Sequence, residues 1–464
     1  VQRGSWLATL IGLLAATPSS AGNGTWHVTL NGDVAATDNV FAVARDNNPE
    51  ADAFTQIRPG MLFAYDSPRF INELTAEVEF LEYALHSDRP SVTERLSWKA
   101  FVLPGPRSEM LLSANGSTGQ LNALTSRSSP ETTSPTVLPP SQAIDVYQAD
   151  GTEYGSYISS KETRTSETGF ARWTATDDQL AMPTKTMVFE AGGSLGFERT
   201  FRSNAISLEA GGSYLILDRD APPGAMPGSL HQKQANPRGT AVWRHDYDKH
   251  WSSSLDGGAI YVHPLQGANR KSEPFPIFGA MVAFTDVWGR ATLSVRRVVT
   301  PDLFIALNTV SDSAIVQFAL PLPWLDDNPH ARAPKLIGVA SMGAERAQLV
   351  DSTTSETNGD VIVARVDAGV TWTPRPGQTW GLRYELVVQH GDTTGVIPTT
   401  SFFRNTLYLT FALRYPDRMA AQVPRRTQSV RADRKDLAPV GAEPVVPDPT
   451  EQLQEGDEEG GDQR

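Results

Sequence analysis

The chain has 464 residues, a formal net charge of −13 and no cysteine. The acidic balance argues against sequence-independent nucleic-acid binding. Without cysteine it forms no disulfide, thiolate metal site or lipobox lipid attachment, and beyond the N-terminus no apolar run is long enough for a membrane helix.

Residues 1–21 read as a secretory signal. Arg3 supplies the positive start, Trp6–Ala16 the apolar stretch, and Ser19 and Ala21 the small residues before a cut, so the mature chain is predicted to begin at Gly22. From Trp26 to Tyr415 apolar and polar residues alternate in long runs broken by turn residues. In the last run Leu407, Leu409, Phe411, Leu413 and Tyr415 point one way, and Thr406, Tyr408, Thr410, Ala412 and Arg414 the other. A period of two is a strand with one apolar and one polar face.

The runs come in pairs. Ala53–Tyr65 and Phe70–Leu85 join through Asp66-Ser67-Pro68-Arg69, and Thr93–Leu103 and Ser108–Gln120 through Pro104-Gly105-Pro106-Arg107. Weaker runs lie near Tyr147–Ser159, Thr168–Ala175, Thr186–Glu198 and Ala205–Leu217. Then come Thr240–Tyr247 with Trp251–His263, Phe278–Thr285 with Arg290–Val299, and Gly359–Trp372 with Thr379–His390. Longer polar stretches separate the pairs: Asn122–Ala143, Asp218–Arg238, Leu265–Glu273 and Gly391–Thr400. Short turns on one side and long loops on the other are the build of a transmembrane antiparallel up-and-down β-barrel, an all-β fold of about 18 strands. The connection Pro321–Pro334 is long for the short-turn side, which leaves about 16 strands as the alternative.

Aromatic residues flank the short turns: Tyr65 and Phe70, Tyr247 and Trp251, Trp372 and Trp380, with Phe284 and Tyr415 at equivalent ends. A membrane–water boundary favours such rings, because a flat apolar side chain keeps a polar edge wet there. The opposite face carries charge of both signs. Glu73, Thr75, Glu77 and Glu79 alternate with Leu74, Ala76, Val78 and Phe80; Ser207, Glu209 and Ser213 stand opposite Ile206, Leu208 and Tyr214. Arg290, Thr292, Ser294 and Arg296 share a strand on which Arg297 falls on the nominal lipid side. Arg365, Asp367, Arg383, Glu385 and Arg414 complete the set. The candidate pore-lining residues are Glu73, Glu77, Glu79, Arg296, Arg365, Asp367, Arg383, Glu385 and Arg414. Rings of charge in a wet channel select what passes; the same residues also suit Arg–carboxylate braces within the wall, and the sequence leaves both readings open.

Gly192-Gly193-Ser194-Leu195-Gly196 matches the G-x-S-x-G nucleophile elbow, but no helical pattern follows it, so no catalysis is expected at Ser194. Glu190-Ala191-Gly192-Gly193-Ser194 recurs as Glu209-Ala210-Gly211-Gly212-Ser213, and paired glycines on neighbouring strands mark a bend or close packing. The histidines are scattered without metal-ligand spacing, and there is no phosphate loop or dinucleotide fingerprint. Asp218 and Asp220 lack a calcium-loop pattern around them. No cofactor, metal or enzymatic activity is expected. From Asp417 a basic stretch, Arg418–Lys435, precedes an acidic one, Asp436–Asp462, which reads as a disordered tail over residues 417–464.

Thr37-Asp38-Asn39-Val40-Phe41 after the first strand, Arg58-Pro59-Gly60 in the second, and Arg404-Asn405-Thr406 leading into Leu413-Arg414-Tyr415-Pro416 resemble motifs of the outer-membrane β-barrel porins of Gram-negative bacteria, over roughly residues 25–416. Within that family the chain is most similar to barrels of myxobacteria-like envelopes, some of them polysaccharide-secretion porins. It departs from larger secretion systems in showing no periplasmic repeat domain before the first strand and no room for an N-terminal plug.

The resemblance implies a barrel over residues 22–416 with both termini in the periplasm. It also implies contact with outer-membrane lipid, insertion by the barrel-assembly machinery, and a pore for polar solutes or for a polysaccharide handed over by a periplasmic exporter. The rival expectation is a non-transporting surface platform that displays Asn122–Ala143 and Asp218–Arg238.

Overall fold

The computed structural model describes residues 23–43, 48–86, 90–121, 144–176, 185–220, 229–266, 272–286, 289–301, 308–322, 335–350, 357–375, 377–391 and 401–416. The signal segment, the tail and the loop 122–143 lie outside the described residues. Eighteen strands follow one another: β1 (Asn23–Thr37), β2 (Asp52–Ser67), β3 (Phe70–Tyr83), β4 (Ser91–Gly105), β5 (Ser108–Leu121), β6 (Ile144–Ile158), β7 (Thr163–Thr176), β8 (Lys185–Phe201) and β9 (Asn204–Asp220). The second half holds β10 (Leu230–Asp246), β11 (Trp251–Pro264), β12 (Glu273–Asp286), β13 (Gly289–Pro301), β14 (Asn308–Pro321), β15 (Leu336–Val350), β16 (Thr357–Arg375), β17 (Gln378–Gly391) and β18 (Phe402–Tyr415).

Each strand pairs antiparallel with the next, and β1 pairs with β18 from Val28↔Tyr415 to Thr37↔Thr406, so the sheet closes. This is an up-and-down barrel of 18 strands, which removes the 16-strand alternative. The connection from β14 to β15 does lie at the short-turn end, where Leu322 N–H donates to Leu336 O at 2.8 Å. The first and last strands meet at that same end.

Three expected loops are partly strand. β9 runs on to Asp220 and β10 begins at Leu230, both within the loop expected over Asp218–Arg238; β12 takes in Glu273 and β17 takes in Gly391. Alternation fails as a signal there because β10 is polar on both faces from His231 to Lys233, and an apolar outer face is needed only where lipid touches it. Pro274 and Pro276 sit in β12 opposite Tyr261 and Ala259 of β11.

The outer face is mainly apolar, although Glu153 and Glu167 stand on it in β6 and β7. Val28, Met61, Leu195, Leu208, Leu255, Leu293, Met342, Leu382 and Leu409 stand 40–70 % exposed on it. Near the short turns aromatic rings pack in pairs: Trp26 with Phe63 at 4.7 Å, Trp251 with Phe284 at 4.8 Å and Trp380 with Phe411 at 5.9 Å. Trp372 and Trp380 are directly opposed. Arg297 does stand on this face, and outward Asp312 neutralises it with bonds of 2.7 and 2.8 Å while its guanidinium lies over Phe278.

The repeated glycines fall in register, Gly169↔Gly193↔Gly212. A Cβ on Gly211 would lie 2.3 Å from the carbonyl oxygen of Gly193, so β8 and β9 approach more closely than a side chain there permits. Gly239 one strand on has ordinary clearance, with the nearest atom at 4.0 Å. Gly211→Val is therefore expected to lose the heat-modifiable gel band of a folded barrel, whereas Gly239→Val keeps it. Folding of both variants would show that the close approach is not required.

Candidate functional site

Strand alternation together with the register assigns every residue to the outer or inner face. All nine residues singled out from the sequence, Glu73, Glu77, Glu79, Arg296, Arg365, Asp367, Arg383, Glu385 and Arg414, fall on the inner face. Their surroundings differ. Glu79 and Glu385 are 1 % exposed. Glu79 pairs with Arg95 at 3.0 Å, and Glu385 lies 3.5 Å from Arg404 and 3.8 Å from Arg383. Arg404 is 3 % exposed, and the Arg383 guanidinium stacks over Tyr408 at 4.3 Å. These groups brace the wall, since a buried charge is retained only with an opposite charge beside it.

Other inner charges stand wetter. Glu73 is directly opposite Lys99, which is exposed, and Glu77 takes a 3.3 Å hydrogen bond from Asn31. Asp367 accepts from Ser341 at 3.2 Å. Arg296 shares a row with Gly279 and Asp256; a Cβ on Gly279 would lie 2.2 Å from Asp256 Oδ1, so the bare glycine lets that carboxylate reach across. Asp33–Arg58 at 2.9 Å and Glu209–Arg238 at 3.1 Å add pairs that the sequence reading did not join. Arg365 faces inward opposite Val387, and Arg414 faces inward opposite Thr29 near the short-turn end.

Sequence reasoning missed an apolar collar. At the long-loop end the inner face carries Phe54, Leu81 and Tyr83, then Val188, Leu215 and Leu217, then Val262 and Ile277, and finally Val361, Val363 and Val387, all buried. Ala35, Phe54, Leu81, Tyr83 and Tyr408 form one cluster, and Val188, Leu215 and Leu217 another. The signal was present: Leu215-Ile216-Leu217 and Val361-Ile362-Val363 are apolar on both faces, where alternation had assigned all apolar residues to lipid. Towards the long loops the inner wall thus interleaves apolar with polar and charged groups: Val387 stands between Arg365 and Arg404, and Val363 between Glu345 and Gln389.

Ser194 faces inward and shares a 2.7 Å hydrogen bond with Thr168. Among the described residues no group of three or more His, Asp or Glu side chains is placed to hold a metal ion.

No protein-family model and no curated protein matches the chain. Among solved structures it is similar to Pseudomonas aeruginosa OpdK with vanillate, at 11 % identity and a TM-score of 0.45, over 84 % of this chain and 99 % of that one. It is also similar to Acinetobacter baumannii OccAB3, at 8 % identity and 0.44, over 85 % and 100 %. A third is the alcaligin receptor FauA of Bordetella pertussis, at 10 % and 0.41, over 84 % and 76 %.

The two kinds of inner charge separate by experiment. Glu385→Gln leaves buried Arg404 without its carboxylate, and the folded barrel is expected to lose about 3–5 kcal/mol in a urea titration. Lys99→Gln, at an exposed position, is expected to leave that midpoint in place. Equal midpoints for the two variants would show that Glu385 braces nothing.

Proposed function

We propose that the chain is an outer-membrane pore of a Gram-negative bacterium, passing small polar solutes through a lumen of mixed charge. The observation that carries this reading is the division of one closed wall into two unlike faces. Outside lies a mainly apolar belt with aromatic rings near the short turns; inside lie charged and hydroxyl side chains, with Lys99 exposed. A barrel of this strand number is too wide for its own side chains to fill, and hydroxyls and paired charges exchange hydrogen bonds with a moving solute without a deep trap. In this reading the short-turn end, with both barrel termini, faces the periplasm, and insertion depends on the barrel-assembly machinery.

Small solutes are the cargo favoured here over polysaccharide delivered by a periplasmic exporter, because the inner-face residues at the long-loop end, such as Leu81, Leu215 and Val361, are buried, which leaves less room there for a polymer.

Residues 22–464, refolded and added to a planar bilayer, are expected to give stable conductance steps. Lys99→Glu is expected to shift the reversal potential in a salt gradient towards cations. Insertion without conductance would overturn the pore reading and favour a surface platform.

A further inference from the structure

Glu153 of β6 and Glu167 of β7 stand outward among apolar side chains, with Leu112 opposite Glu153 and Leu195 opposite Glu167. Each leans over a bare glycine of the other strand: a Cβ on Gly155 would lie 2.8 Å from Glu167 Oε1, and one on Gly169 would lie 3.9 Å from Glu153 Oε2. The two carboxylates therefore share the β6–β7 seam. Among the described residues neither has a hydrogen bond or an ion pair. Outward charges farther round the wall are answered, Arg297 by Asp312 and Arg346 by Asp360. Lipid tails supply neither a donor nor a counter-charge, so two like charges side by side on this face call for a cationic partner.

A trough opens beside them. Gly169, Gly193, Leu195 and Ala210 line a hollow of about 490 Å³ next to the carboxylates. Leu195 and Ala210 also border a second hollow of about 530 Å³, floored by Gly239, Ala241 and Gly257 and edged by Phe197 and Leu208. The trough climbs as it crosses the sheet. Glu167 lies four residues from the short-turn end of its strand, as Phe63 and Phe411 do in theirs, whereas Leu195 lies six and Gly239 seven from that end. The carboxylates thus stand at the level of the aromatic rings, where lipid headgroups lie, and the trough runs from there towards the middle of the apolar belt. Arg199 also faces outward, on β8 two residues from the short-turn end. It is exposed and 3.8 Å from exposed Glu162, a pair that water keeps weak.

We propose that this trough binds one phospholipid of the ethanolamine type. Its primary ammonium donates to Glu153 and Glu167, its phosphate meets Arg199, and an acyl chain lies along the glycine and alanine floor. A primary ammonium has three N–H donors, enough for two carboxylates at once, and bonds between charged partners are the strong ones. A phosphate diester is an acceptor that a guanidinium matches with two donors. A choline headgroup keeps the positive charge but has no N–H to donate, and a glycerol headgroup has no cation. The site rests on reading this face of the wall as lipid-facing; it does not depend on conduction.

A second copy of the chain fits the trough less well. It would bring the same two carboxylates to the contact, and like charges set against each other oppose association. Its outward Arg297 and Arg346 are already held by Asp312 and Asp360. A zwitterionic lipid brings both missing charges in the order in which the wall presents their partners, with its apolar part leading away from them into the belt.

To test this, the refolded chain in detergent is mixed with dioleoyl phosphatidylethanolamine or dioleoyl phosphatidylcholine at equal concentration, and native mass spectrometry reads the fraction of barrels that carry one lipid. The ethanolamine lipid is expected to occupy about threefold more barrels than the choline lipid. Glu153→Gln combined with Glu167→Gln is expected to bring that ratio to about one, with choline lipid binding as before. Arg199→Gln and Gly239→Val are expected to lower both lipids alike, the first through the phosphate and the second by filling the floor. Equal occupancy by the two lipids in the native chain would overturn the site, and so would a preference that survives the double glutamine variant. Lipid-free ions of two chains that Gly239→Val abolishes would assign the trough to a second copy and overturn it as well. The heat-modifiable gel band separates the two failures. A chain without that band in vesicles of either lipid would overturn the lipid-facing wall and the site with it, whereas a folded barrel without the preference overturns the site alone.

Discussion

A wall that stands in lipid has no solvent to satisfy its backbone, so every N–H and C=O within the belt must pair inside the protein. The rest of the structure depends on that requirement, because only a closed sheet has no unpaired edge. β18 must meet β1, and it does so in a register that sets Thr406 beside Thr37 and Leu413 beside Leu30. Side chains alternate with period two, so closure assigns both faces at once, and a slip of one residue would turn charges to lipid. One row shows how far the assignment holds: Phe197, Leu208, Ala241, Gly257 and Phe278 follow one another across neighbouring strands on the outer face, and then comes Arg297. The next residue in the row is Asp312, and the one after it Arg346, which is bound in turn by Asp360. This run of outer charge is neutralised along its length, while Glu153 and Glu167 stand on the same face of β6 and β7.

The inner face answers a different constraint. Charges that water reaches need no partner, whereas charges that the wall covers do, and the inner carboxylates sort accordingly. Glu79 and Glu385 are covered and lie against arginines; Glu73 and Lys99 face each other where the lumen is wetter. Towards the long loops the covered inner residues are both apolar, as at Leu215, Leu217, Val361 and Val363, and polar, as at Gln234, Thr309 and Gln389.

Much of this was legible in the sequence, and the limits are physical. The alternation in residues 406–415 or 73–80 reports lipid on one side and polar groups on the other, so strand identity, strand count and the inward direction of Glu73 or Arg365 could be read from it. The pattern fades wherever one of the two environments ends. Residues 230–238 are strand but rise beyond the apolar belt, and Val361-Ile362-Val363 is strand with apolar groups on both sides. Pairings such as Asp33 with Arg58 depend on register between strands, which a single run does not encode. The contact of His86 with Glu50 and Asp52 joins the connection after β3 to the one before β2 and to the first residue of β2, and loops carry no periodic signal.

The location of that last contact has a structural logic. Every wall strand is fixed by backbone bonds to two neighbours, so the diameter of the barrel cannot change without breaking the pairing that lipid demands. The β1–β2 connection lies outside that ladder: its outgoing limb is tied to β18 by Asn39 and Asp38, and Val40 and Phe41 rest on the collar. The eighteen strands beneath are held by their own backbone pairing.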